Sequence, residues 1–254
     1  MKHKGATKNK ITIVTIMFSA ALLFSVISNL YGYHVQSATA ARTAATTDQN
    51  SSSVPTGMAT NLVLGLRDLW VDHIVYTRNY IISFVAGLPD TNVVAQRLLK
   101  NQEDIGNAIK PFYGELAGTK LTGLLKGHIL GAVAILKAAK AGNSTGAASA
   151  EKKWYENADQ IAVILASANP NWPVQDLKTM LHNHLALTKS EAVARLTGNY
   201  TGDVAAFDKI HRQAMMMSDE LADGIIKQFP AKFSTTSGST SSTNATHTTK
   251  TKAG

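Results

Sequence analysis

The stretch Leu69-Trp70-Val71-Asp72-His73-Ile74 decides the fold, because the chain writes its pattern twice more. Leu124-Leu125-Lys126-Gly127-His128-Ile129 is the second copy, and Met180-Leu181-His182-Asn183-His184-Leu185 is the third. Each copy reads two large apolar residues, two variable ones, a His and another apolar residue. The three His are 55 and 56 residues apart, and fourteen residues after each comes a Gly: Gly87, Gly142 and Gly198. A second helical pattern follows each Gly and carries an amide at nearly the same place, Asn101, Asn157 and Gln213. A fixed period of this kind points to a repeat architecture.

Working outward, helical periodicity runs from about 59 to 228 with no convincing strand. The first helix should cover about 62–85. Gly87 can take the left-handed conformation that ends it, Pro89 cannot continue it, and Asp90 or Thr91 can cap the next helix, expected at 92–109. Pro111 should stop that one, and Tyr113-Gly114 should turn the chain. A third helix is expected at 120–141. Gly142-Asn143-Ser144-Thr145 turns next, with Ser144 or Thr145 as cap, and a fourth helix follows at 147–166. Asn169-Pro170-Asn171-Trp172-Pro173 is a firm breaker. The last two helices are expected at 174–196 and 203–229, with Gly198-Asn199-Tyr200-Thr201 between them.

The expected fold class is therefore all-α: a six-helix bundle built from three repeated antiparallel helical hairpins, at about 60–112, 115–168 and 173–229. Short turns imply antiparallel neighbours, and such a hairpin must bury its apolar face on its siblings. A four-helix bundle with an extra hairpin packed against it is the alternative.

The flanks have a different character. Residues 11–31 are uncharged and mostly apolar, behind Lys2, Lys4, Lys8 and Lys10. Residues 1–40 therefore read as a secretory signal or an N-terminal membrane anchor. Ala38-Thr39-Ala40 offers a cleavage site, yet the run is about 20 residues, enough to span a bilayer if it stays uncleaved. Either way the body is expected to be secreted or extracytoplasmic, part of the cell envelope or surface. Residues 41–57 read as a disordered linker, 58–230 as the helical-bundle domain and 231–254 as a disordered Ser/Thr-rich tail. Asn50, Asn143, Asn199 and Asn244 begin N-x-S/T patterns. With no Cys, disulfides and thiolate metal sites are excluded. The net charge of +8 drops to +4 once the four leader lysines are set aside, and no basic stripe interleaved with aromatics appears. Nucleic acid is therefore not an expected partner.

The repeated His lie among large apolar neighbours, so their faces should point inward. Neutral imidazole is the commonest protein metal ligand, and bundles build such sites from inward side chains. His73, His128 and His184 are the candidate ligands for a transition metal ion (Zn, Cu, Mn or Fe) or a small molecule, with Asp104 or Glu191 adding an oxygen. Asn101, Asn157, Gln213, Thr77, Thr188 and Arg78 would form the supporting shell. The competing reading makes each His–amide pair a structural pin that fixes helix register without a ligand. Convergence of the His around a polar cavity favours the first; a His bonded only to its own hairpin's amide in a dry core favours the second. Arg78 either bridges to an acid such as Asp104 or holds an anion. His182 and His184, two residues apart, point away from each other. His211 with Met215, Met216 and Met217 offers soft copper ligands, but consecutive Met residues face three directions and also fill cores. Trp172 is placed to plug a seam between units. No nucleophile elbow, P-loop, dinucleotide fingerprint or H-E-x-x-H occurs. An enzyme using a His as general base remains the third reading, and no catalytic residue is assigned.

Trp70-Val71-Asp72-His73 with Thr77-Arg78, the run from Asn101 to Pro111, and His184 to Leu196 with Thr188 and Glu191 resemble a family of uncharacterised, exported microbial helical proteins. The resemblance covers most of residues 60–230 and implies a helical bundle outside the cytoplasm, with no established activity.

Overall fold

The computed structural model describes residues 57–234, and all of their regular structure is helical. α1 spans Gly57–Ala86, α2 Thr91–Lys140, α3 Ser144–Ala168, α4 Val174–Leu196, α5 Tyr200–Gln228 and the short α6 Pro230–Phe233. The apolar run 11–31, Asn50, Asn244 and the tail from 235 onward lie outside the described residues.

Gly87, Gly142 and Gly198 end helices as expected, with φ of 68°, 71° and 74°. The same closure follows at each. Leu88, Asn143 and Asn199 donate their backbone N–H back to Ser83, Ala138 and Ala194 at 2.8, 2.9 and 2.9 Å. These bonds satisfy carbonyls that a helix end leaves open. The caps of the next helices are not Ser144 or Thr145. Asn143 Oδ1 accepts from Gly146 N at 2.8 Å, and Asn199 Oδ1 accepts from Gly202 N at 2.9 Å. Asn caps as well as Ser because its carbonyl oxygen reaches the first free N–H groups.

Pro111 does not end its helix. A proline forfeits one hydrogen bond and crowds the turn before it, yet leaves the residues after it free to stay helical. The break comes at Gly114, whose φ of 83° and ψ of 170° are non-helical. This conformation is nearly exclusive to Gly. The next arm therefore starts at Glu115 rather than near Lys120. The two arms of α2, residues 91–113 and 115–140, fold back on one another. A Cβ on Gly106 would sit 2.7 Å from Gly118 O, and one on Gly118 would sit 2.6 Å from Gly106 O. Only glycine lets two helix backbones approach so closely. Lys126 and Glu103 tie the arms at 2.5 Å further along.

Each helix packs on the next, α1 on α2, α2 on α3, α3 on α4 and α4 on α5, and α5 closes the circuit onto α1. Trp70, Leu121, Leu125, Trp154, Leu181 and Met217 meet in the largest apolar core. Trp172, in the breaker loop, is buried; it donates Nε1–H to Glu220 O at 3.3 Å and lies 5.8 Å from the Tyr113 ring. A Cβ at Gly224 would fall 1.9 Å from its indole nitrogen, so that glycine makes its berth. The packed body extends past 230: Phe233 is buried and stacks on Phe112. By length and composition α2 could cross a membrane. Its Leu98, Leu121, Leu125, Ile129 and Leu136 are buried in the fold.

Candidate functional site

His73 on α1, His128 on the second arm of α2 and His184 on α4 are all buried, at 3%, 5% and 4% exposure. Their helices present them inward because each stands among core residues one helical turn away: Trp70, Leu125 and Leu181 lie three residues before each His. The His73 and His184 rings are 5.7 Å apart, centre to centre. Trp70 packs edge-on to His73 at 5.4 Å, and Trp154 lies 5.2 Å from His128.

The amides arrive from the neighbouring helices. Asn157 Oδ1 lies 3.2 Å from His128 Nδ1, while Asn157 Nδ2 donates to Leu124 O at 3.1 Å. Gln213 Oε1 lies 2.9 Å from His184 Nδ1, while Gln213 Nε2 donates to Met180 O at 3.2 Å. Leu124 and Met180 each stand four residues before their His. This geometry settles the tautomer. The amide N–H₂ must face the helix carbonyl, so its oxygen faces the imidazole, and Nδ1 must carry the proton. Nε2 of His128 and of His184 is then a lone pair, with no hydrogen-bond donor among the described residues.

The first bridge is built differently. Asn101 Nδ2 donates to Leu69 O at 2.9 Å, again four residues before the His. The nitrogen nearest His73 Nδ1 belongs to Gln102, at 3.3 Å. Gln102 Nε2 also donates to Leu98 O at 2.8 Å and to Asn101 Oδ1 at 3.0 Å. Two amide hydrogens thus serve three acceptors. Gln102 escaped the sequence reading; the only signal for it was an amide one residue past the repeated register.

Burial holds all three imidazoles neutral. His128 is pushed down to about 3, first by burial and then by the charge His184 would carry. His73 is held well below the usual range, by burial first, then by His184 and His128. Burial lowers His184 as well, against the pull of its bond to Gln213. Other polar atoms in the core also lack a hydrogen-bond partner: Nε1 of Trp70 and Trp154, Oγ1 of Thr188, Oγ of Ser218 and Oε1 of Gln102.

Neither expected carboxylate joins the imidazoles. Asp104 lies toward the surface and pairs with Lys100. Glu191 is buried but faces Arg78, whose Nη1 reaches its Oε1 at 2.5 Å and Asp203 Oδ1 at 2.7 Å. Arg195 adds a contact to Asp203 at 3.2 Å. Arg78 therefore bridges to Glu191 and Asp203, not to Asp104. Its own position 113 and 125 residues away in sequence hid these partners. Burial pushes the Glu191 carboxyl up to about 7, opposed by Arg78. Thr77 turns back to bond His73 O at 2.7 Å. His182 points away from His184, as expected, and meets Asp159 at 2.9 Å. His211, Met215 and Met216 line a surface groove, while Met217 turns into the core. Among the described residues no three His, Asp or Glu side chains come together with the geometry of a metal site.

The arrangement defines a class: a helical bundle whose core is threaded by neutral imidazoles bonded to amides of the adjacent helices. Set against family models, curated proteins and solved structures, the chain matches none.

Proposed function

We propose that the chain is an exported, non-catalytic helical module of the cell envelope or surface, built from three repeated hairpins at about 60–112, 115–168 and 173–229. The observation that carries this reading is the amide bridge. In the second and third units one amide joins the His Nδ1 to the backbone carbonyl four residues earlier on the same helix. In the first, Asn101 keeps the carbonyl bond and Gln102 takes the imidazole. A bridge that bonds both a side chain and a backbone group fixes rotation and register of two helices at once. Buried polar groups bonded across two helices can specify a packing in this way. The module is tethered or spaced by its flanks, 1–56 and 235–254, in keeping with their composition.

A second reading rests on a separate observation. The Nε2 lone pairs of His128 and His184 and the two indole N–H groups are without partners, and they favour a metal ion or a small polar ligand at this centre. An Nδ1–H bonded to an oxygen is how proteins orient a metal-ligating His. Elemental analysis of the natively exported full chain, purified without chelators, separates the two. The module reading expects no stoichiometric transition metal and the same melting temperature with and without chelator. One metal ion per chain, lost in His128→Ala, would overturn it in favour of the second.

A further inference from the structure

α5 carries a charged stripe that is its own complement. Lys209, Arg212, Met216, Glu220 and Asp223 are all exposed, and steps of three or four residues keep them on one helix face. Met216 stands at the centre with 59% of its surface exposed. Arg212 and Glu220 lie four residues to either side of it; Lys209 and Asp223 lie seven to either side. None of these four charged side chains has an ion-pair partner among the described residues. The other four arginines there are each held by a carboxylate: Arg67 by Asp219, Arg78 by Glu191 and Asp203, Arg97 by Asp72 and Arg195 by Asp203. Beside the stripe, between α4 and α5, runs an open groove of about 620 Å³ lined by Leu187, Lys209, Arg212, Met215 and Met216.

We propose that this face is the interface of a two-fold homodimer, with two copies of α5 crossing antiparallel at Met216. A two-fold axis there sets Arg212 of each copy against Glu220 of the other, and Lys209 against Asp223. Each of these four charges then gains an opposite one, while Lys227, exposed four residues beyond Asp223 on the same face, lies outside the pairs, its mirror position being Ala205. Such an isologous contact needs a patch complementary to itself under reversal, and the mirror spacing about Met216 supplies it. The apolar side of the groove, Leu187 and Met215, receives the Met216 side chain of the second copy; methionine adapts readily to such a surface. The other occupants fit the charge less well. The flanks of this chain, 1–56 and 235–254, hold a single acid, Asp48, and so offer little to the basic half. An anionic membrane surface would repel Glu220 and Asp223. The proposal does not depend on what the buried imidazoles do.

The absence of Cys gives a clean test on the full chain. Met216→Cys should be joined to a second copy by a short bis-maleimide, and Lys153→Cys, on an exposed face of α3, should not. In sedimentation at low salt the unaltered chain should self-associate, and about 1 M salt, with a Debye length of about 3 Å, should weaken that association. Arg212→Glu and Glu220→Arg should each weaken it by about tenfold or more, through like charges set opposite one another. An equimolar mixture of those two variants should associate again, because each supplies what the other lacks. Circular dichroism at native helicity for both variants keeps loss of folding apart from loss of contact. A chain that stays monomeric in low salt, a cross-link no faster at 216 than at 153, or a mixture that fails to recover would each overturn the proposal.

Discussion

His128 carries its proton on Nδ1 because Asn157 leaves it no alternative, and the same argument holds for His184 and Gln213. The amide is oriented by a backbone carbonyl that can only accept, so the imidazole must donate. Removing the ring strands Asn157 Oδ1 in the core and opens a hole beside Trp154. We expect His128→Ala to cost about 2–4 kcal/mol, from an unmet polar group plus a cavity. A double-mutant cycle with Asn157→Ala, read by urea unfolding, should return a coupling of about 0.5–3 kcal/mol. Strictly additive losses would mean that the two groups are only neighbours. The His and the three amides of the repeated register were legible in the sequence from spacing alone. Gln102, Arg195 and Asp203 were not, since nothing local marks an amide or a charge as buried. Asp203 reads as an ordinary acid in the first turn of a helix, where acids are favoured, yet it is the carboxylate shared by Arg78 and Arg195.

Among the helices, glycine decides geometry in two opposite ways. Gly106 lies where the arms of α2 touch, and a Cβ there would sit 1.9 Å from Thr122 Oγ1 as well as against Gly118 O. Thr122 can swing aside, but the backbone oxygen cannot. Gly106→Ala should therefore destabilise the fold by about 1–3 kcal/mol through overpacking. Gly65, inside α1, has nothing within 4 Å of where its Cβ would be. Gly65→Ala should stabilise by about 1 kcal/mol, since alanine loses less backbone freedom in a helix. Thermal melts of the two variants should move in opposite directions; shifts of the same sign would sink the close-approach argument. Helix ends at Gly87, Gly142 and Gly198 were readable, because a left-handed residue at a helix end is a local matter. The continuation through Pro111 was not, because proline's constraint acts on the turn before it while the break belongs to Gly114.

For the whole molecule, the buried ionisable groups set an acid response. Each imidazole has a folded-state pKa below its unfolded value, so below about pH 6.5 the unfolded chain binds protons that the folded chain refuses. Stability must then fall with falling pH, by at most about 1.4 kcal/mol per pH unit for each imidazole. For His128 the loss stops near pH 3. Glu191 works in the other sense. Its folded value, near 7, lies above the ordinary 4.5, so the folded state holds the extra proton between those limits. It thereby offsets one imidazole as pH falls from 7 to 4.5. Three against one leaves a net loss on acidification. Urea unfolding at pH 6.5 and 4.5 should show it, and Glu191→Gln should steepen it. Equal stability at both pH values would mean that the imidazoles are solvated.

That the chain is all-helical, where most of its helices end and which His lie inside were readable from the residues alone. Those properties follow from period, breakers and caps, all of which act within a few residues. Only the tertiary structure, by packing distant segments together, sends Glu191 to Arg78, 113 residues away, and leaves the imidazoles without a carboxylate, whereas the pairing of Asp104 with Lys100 is a local one, a single turn along the same helix. The tertiary structure also left the charged face of α5 uncovered, with no ion-pair partner for its Lys209, Arg212, Glu220 and Asp223 among the described residues. Periodicity places a side chain on a face of its own helix. Which helix that face meets, and at what height, is set by packing between segments more than a hundred residues apart.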